Sequence, residues 1–236
     1  MDNTFGWAIA AFVALHVGVS ATGLRGLIVA RIGERPYRGL FSLASAALLI
    51  WVIRSFAGLR ADPAEPLNGL YWWPPLALRP GAYALIGTGF LIGVTGILTP
   101  GPTFVGFERS LAEPEPARGI LRVSRNPFLW GVALWGAGHM LVNGALYAPP
   151  LFGGLALMSL FGARSIDRKG RARDPEHWAA FEAVTSNIPF AAILQGRNKL
   201  ALGEMWWRLL IAASVFVAVG LLHQRLFGAP VFATQL

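Results

Sequence analysis

Two histidines stand inside apolar runs, and no other residues of the chain combine so much latent chemistry with so apolar a setting. His139 lies within residues 131–143, GVALWGAGHMLVN, and His16 lies within 5–23, where only Ser20 and Thr22 otherwise interrupt the apolar sequence. An ionisable side chain at membrane depth costs at least about 2.5 kcal/mol unless it meets a partner, a cavity or a bound group. Ser20 follows His16 by four residues and Asn143 follows His139 by four, so each pair shares a helical face. Two narrow polar stripes facing each other is the expectation. Two neutral imidazoles on separate helices suit axial ligation of a b-type haem, whose apolar macrocycle fits a helix bundle. The same spacing equally describes two histidines that only hydrogen-bond a backbone carbonyl or a neighbouring side chain.

The elements that must carry them follow from composition. With 55% hydrophobic and 14% charged residues, the 236-residue chain has more apolar surface than a water-soluble fold can hide. Six apolar runs are legible: 5–23, 39–59, 81–99, 127–148, the short 151–163, and 205–227. The only charge before the first run is Asp2, the wrong sign for a secretory leader, so 5–23 reads as a retained helix. Lys and Arg number four, four and seven in connections 24–38, 100–126 and 164–204, which is fifteen of the twenty. The positive-inside rule then predicts an all-α, polytopic helix bundle of about six spans forming one domain over 1–236, with both termini outside. His16 falls roughly 16 Å into its run and His139 roughly 18 Å into an oppositely directed one, so both reach similar depth. Gly89 and Gly93 have the spacing that lets transmembrane helices touch backbone to backbone. Tyr71, Trp72 and Trp73 read as an interfacial belt.

Other chemistry is poorly supported. Without cysteine there are no disulfides, thiolate metal sites or thiol nucleophiles. The apolar runs hold no Asp or Glu to complete a zinc or non-haem iron site, and no GxSxG or phosphate loop occurs. His177 and His223 lie toward solvent or interface. Asp167, Arg168 and Lys169 read as a solvated charged face, with a buried ion cluster as the alternative. The net charge of +8 is explained by topology, so nucleic acid is not an expected partner.

Four strings together resemble the NnrU family: GERPYRGLFSL at 33–43, SRNPFLWGVALWGAGHMLVNG at 124–144, LFGGLALMSLFGARSIDRKGRAR at 151–173 and TSNIPFAAILQGR at 185–197. That family comprises bacterial integral membrane proteins named for a role in expressing nitrite and nitric oxide reductases. It is similar to plant and cyanobacterial zeta-carotene isomerase, a membrane haem b protein that converts a cis double bond by redox-sensitive haem ligation. The resemblance implies a bacterial inner-membrane location, haem b as cofactor with His16 and His139 as ligands to its iron, and nitric oxide or an apolar polyene as the small-molecule partner. One departure matters: the family usually has Arg-His-Pro where this chain has Arg125, Asn126 and Pro127, so a third imidazole is missing. If that imidazole assists the reaction elsewhere, this chain has kept the haem and lost the isomerisation. Residues 124–131 also resemble the Arg-His-Pro-x-x-x-Gly of isoprenylcysteine and phospholipid methyltransferases, which bind S-adenosylmethionine, with Asn126 again in place of the His. A non-catalytic accessory protein, docking a partner or anionic lipid through basic residues 164–199, is the third reading.

Overall fold

Gly33, at φ 85, turns the chain into its longest helix, a backbone conformation that a side chain would strain. Glu34 in the first turn and Arg60 in the last complement the helix dipole. Glu34 also accepts two bonds from Arg25, at 2.7 and 2.9 Å, and one from Arg38 at 2.7 Å. The arginine-rich first connection is therefore organised around its one acid.

The computed structural model describes residues 4–20, 22–229 and 231. Asp2 and both chain ends lie outside them, and with them the expectations about a leader and the side on which the termini sit. The helices are α1 (Thr4–Ala14), α2 (Leu24–Ile32), α3 (Glu34–Ala61), α4 (Arg79–Ile97), α5 (Pro127–Val142), α6 (Gly154–Arg173), α7 (Pro175–Val184), α8 (Ala191–Leu194) and α9 (Trp206–Phe227). Wider π-helical turns occupy Leu15–Ser20 and Pro149–Gly153. Among the described residues no strand forms, and one isolated antiparallel bridge joins Leu70 to Ala145.

Among the described residues, three helices are long and apolar enough to cross a membrane: Glu34–Ala61, Leu76–Ile97 and Trp206–Phe227. A fourth results if Thr4–Ser20 and Leu24–Ile32, bent by 73°, count as one span. Leu43 at 71% exposure and Leu221 at 70% show the outward apolar faces that lipid would cover. The chain is thus all-helical with three to four candidate membrane spans, where six runs were expected. The difference lies in two helices. α5 is only 16 residues long and ends at Val142, where the Asn143 side chain accepts the Ala145 N–H at 3.1 Å. α6 starts apolar but finishes in Arg168, Lys169, Arg171 and Arg173.

The chain divides into two compact units, one of residues up to Ala82 with Gly136–Gly162, the other of Tyr83–Trp135 with residues from Ala163 onward. In the first, α1 buries Phe5, Ala8, Ile9 and Phe12, spaced i, i+3, i+4, i+7, and Phe5 meets Phe56 of α3 at 5.7 Å. Residues 67–72 pair with 144–147: Tyr71 N donates to Gly144 O at 2.9 Å and Leu146 N to Gly69 O at 2.8 Å. A Cβ on Gly144 would overlap the Trp72 carbonyl, so this approach requires glycine. Tyr71 and Trp73 are exposed as a belt requires, whereas the Trp72 indole nitrogen is buried.

In the second unit, α4 and α5 touch through backbone. A Cβ on Gly89 would lie 2.7 Å from Gly131 O and 2.9 Å from Trp135 N, and one on Gly93 would lie 3.2 Å from Gly131 Cα. The small-residue spacing read in α4 is used for packing, against a glycine of the helix that also carries His139. Ile92, Ile120, Val123 and Met205 form one buried cluster, and Leu111, Ala117, Trp178 and Phe181 another. Gly131→Val should destabilise the protein by about 1–3 kcal/mol through overpacking. Thermal unfolding in detergent checks this, with Gly87→Ala as control, since its Cβ would meet only the Phe216 ring at 3.6 Å.

Candidate functional site

His16 sits in the π-helical turn that continues α1, a local widening found often at functional positions. Its Nδ1 lies 2.8 Å from Phe12 O and its Nε2 3.2 Å from Ser45 Oγ on α3. A carbonyl oxygen can only accept, so Nδ1 carries a proton; in the neutral ring Nε2 then holds the lone pair, with Ser45 donating to it. The Phe12 and Phe41 rings lie 4.4 and 5.3 Å from the imidazole and shield it. A purely structural histidine would make the Phe12 bond as well. What the bond adds is the tautomer that leaves Nε2 available, and that donor set fits a haem iron, whose ligating histidines give their other N–H to a backbone carbonyl or carboxylate.

His139, three residues from the end of α5, stacks on Phe152 with ring centroids 4.6 Å apart and planes at 22°. The sequence arranges this through Gly136, one turn earlier, where a Cβ would lie 2.6 Å from Phe152 O. Pro149 and Pro150 open the π-helical turn that carries Phe152. Both histidines are partly buried, belong to the same compact unit and stand beside a π-helical turn.

Ser20 and Asn143 each have a partner other than a histidine. Ser20 bonds the Tyr37 side chain, and Asn143 donates to Tyr147 Oη at 3.0 Å while accepting from Ala145 N. Asn143 serves its own turn, and Ser20 reaches across to α3. His223 Nδ1 donates to Ala229 O at 2.7 Å, where α9 ends, and His177 pairs with Asp174 at 3.0 Å where α7 begins. Among the described residues no three His, Cys, Asp or Glu side chains form a metal-holding group.

A polar cluster in the second unit corrects one expectation outright. Asp167, read as part of a solvated face, is 4% exposed and accepts from Arg125 Nη2 at 2.8 Å, Asn126 Nδ2 at 2.9 Å and Asn187 Nδ2 at 2.8 Å. Trp130 Nε1 donates to Asn187 Oδ1 at 2.7 Å, and Arg125 also pairs with Glu182 at 2.8 Å. Residues 123–128 and 185–190 are joined through backbone too, by Arg125 N to Ser186 O and Phe190 N to Val123 O. One signal pointed to this: Ala163, Asp167 and Gly170 fall at i, i+4, i+7, a face of small residues with an acid at its centre. All three are buried.

Nearby, Glu204 accepts from Arg122 at 2.9 and 3.0 Å and from Gly119 N at 2.6 Å, and the Arg122 guanidinium holds its carboxyl below the usual carboxylate range. This latch ties 119–122 to the start of α9. The deeper pair sets the larger energy. Removing one partner of a buried ion pair costs about 3–5 kcal/mol because a charge is stranded, so Asp167→Ala should lower stability by that much. Asp167→Asn, which keeps one acceptor oxygen, should cost less, and denaturant melts of the two variants in detergent check the order.

The model of the NnrU protein family matches residues 4–231. Over 194 residues the chain is 31% identical to 15-cis-zeta-carotene isomerase, chloroplastic, of Zea mays, covering 80% of this chain and 50% of that protein. Over 196 residues it is 31% identical to the protein of the same name from Arabidopsis thaliana, with the same shares covered. The chain spans about half the length of these curated relatives. No solved structure matches it. A family match that runs through both compact units, from the first turn of α1 to beyond α9, makes this chain a member of the NnrU family.

Proposed function

We propose that this protein is a membrane-embedded haem b protein that isomerises a cis double bond of an apolar polyene entering from lipid, with His16 and His139 holding the haem. The observation that carries the reading is the committed tautomer of His16, Nδ1 to Phe12 O at 2.8 Å, in a chain 31% identical to two proteins named as carotene isomerases. Haem b, when bound, supplies an iron centre whose axial ligation responds to its oxidation state.

The chain's own residues have the remaining tasks. The Phe12 carbonyl orients the His16 ring. Ser45 Oγ, 3.2 Å from Nε2, would give up that bond to a haem held there. Phe12 and Phe41 keep water from one imidazole, and Phe152 fixes the plane of the other. Cis-trans isomerisation neither adds nor removes atoms, so it asks no general base or nucleophile of the protein. That suits spans whose interior carries no carboxylate. Asn126 does not deprive the protein of its Asp167 clamp, because the amide supplies the N–H that an imidazole would otherwise give.

The same proposal places six crossings in a bacterial inner membrane with the three basic connections on the cytoplasmic side. α5 and the apolar part of α6 then cross where protein rather than lipid lines them.

Conversion of a 15-cis polyene by haem-supplied protein in nanodiscs, followed by chromatography of the isomers, tests the function. His16→Ala and His139→Ala should each lower conversion by about 100-fold. Ser45→Ala, which removes only a competitor for Nε2, should retain it. Equal conversion by wild type and both histidine variants would exclude this role for the pair.

A further inference from the structure

Among the described residues no large apolar side chain is more exposed than Leu194, at 85%, and Ile188 close by is exposed at 61%. Both lie in the connection 164–204, whose basic residues mark it as polar. Two of those basic residues are engaged within the protein: Arg197 Nη1 donates to the carbonyls of Glu182, Ala183 and Thr185, and Arg171 pairs with Glu182 at 2.6 Å. What the stretch 188–194 presents outward is apolar.

Its backbone is held in place. Ser186 Oγ donates to Ile188 O at 2.8 Å and accepts from Ala192 N at 2.9 Å. Phe190 holds φ 65, in the left-handed region that a bulky residue rarely adopts, and its N–H donates to Val123 O at 2.8 Å. Ala192 is fully buried, whereas Leu194, two residues on, projects outward.

Ile193, between them, packs on the cluster of Ile92, Ile120, Val123 and Met205, and so does Leu209. That cluster fixes where α8 stands along the two candidate spans α4 and α9. Ile92 lies roughly 8 Å before α4 ends at Ile97, and Leu209 roughly 5 Å after α9 begins at Trp206. The two helix ends are tied together, since Arg208 Nε donates to Leu98 O at 2.9 Å. Trp206 and Trp207, both exposed, open α9 as interfacial anchors do. Leu194 therefore emerges beside side chains that lie within both spans, at a height where exposed apolar surface meets acyl chains.

We infer that residues 188–194 form an apolar wedge inserted into the bilayer interface, on the side where α4 ends and α9 begins. The wedge uses the candidate spans and no proposed haem ligand, so haem binding and insertion are lost or kept separately.

The chain has no cysteine, so single-cysteine variants each take one nitroxide spin label. Power saturation with oxygen and with a neutral nickel chelate, on full-length protein in phosphatidylcholine nanodiscs holding one chain each, reads whether a label meets lipid or water. Labels at Leu194→Cys and Ile188→Cys should favour oxygen, as should Val217→Cys on the outward face of α9, while Glu176→Cys in the first turn of α7 should favour the nickel chelate. Both wedge positions are exposed, so the variants should unfold at the wild-type temperature. Nickel accessibility at Leu194 and Ile188 equal to that at Glu176 would place the stretch in water and overturn the wedge. Labels shielded from both reagents would mean that protein covers it, which also overturns it. Insertion seen only after phosphatidylglycerol is added would assign the contact to the basic residues, and nickel access at Val217 would remove the membrane from α9; either result overturns the wedge.

Discussion

A polar group removed from water has to find its hydrogen bonds within the protein, and in this chain that requirement shapes the backbone and the sites alike. Lipid offers neither donor nor acceptor, so the apolar runs become helices whose peptide groups bond internally. Where a helix stops, a side chain takes over the loose ends: Asn143 accepts the Ala145 N–H, His223 donates to Ala229 O, and Arg197 Nη1 caps the end of α7 by donating to three carbonyls, those of Glu182, Ala183 and Thr185. His16 obeys the same rule. Its Nδ1 proton goes to a carbonyl in its own helix, and the price of that satisfaction is a fixed tautomer.

Asp167 shows the requirement at its most demanding. A carboxylate at 4% exposure is tolerable because three side chains from two distant stretches aim N–H groups at it. Charge is shared outward, since Arg125 also meets Glu182, which Arg171 binds at 2.6 Å. The clamp accounts for the residues of SRNPF and TSNIPF more directly than any catalytic duty does. It also defines what Asn126 changes relative to the imidazole usual in the family. The donor is kept, a titratable ring is lost, and the amide oxygen is left buried without a partner among the described residues.

The helical class, the apolar runs and the glycine contact of α4 were legible because each depends on local pattern: hydropathy, basic loops and a spacing of four. Gly131 as the partner of Gly89 was not, since register between helices is set by packing. The number of crossings was only partly legible, because hydropathy marks where apolar residues occur and not where Asn143 ends a helix. Of the site, His16 and His139 stood out by being ionisable in apolar runs. Their actual partners, Ser45 and Phe152, come from elsewhere in the chain and left no trace in the spacing. Asp167 was misplaced because its neighbours Arg168 and Lys169 made a charge run, and a charge run says nothing about which of its members points inward.

The central claim is that His16 and His139 are a ligand pair for haem. It is tested most directly by titrating haem into the purified apoprotein and recording visible and electron paramagnetic resonance spectra of wild type, His16→Ala and His139→Ala. The account predicts a Soret band saturating at one haem per chain, a low-spin bis-histidine signal in the wild type, and loss of that signal in each variant. A Soret band that never saturates, or a signal identical in all three proteins, would contradict it.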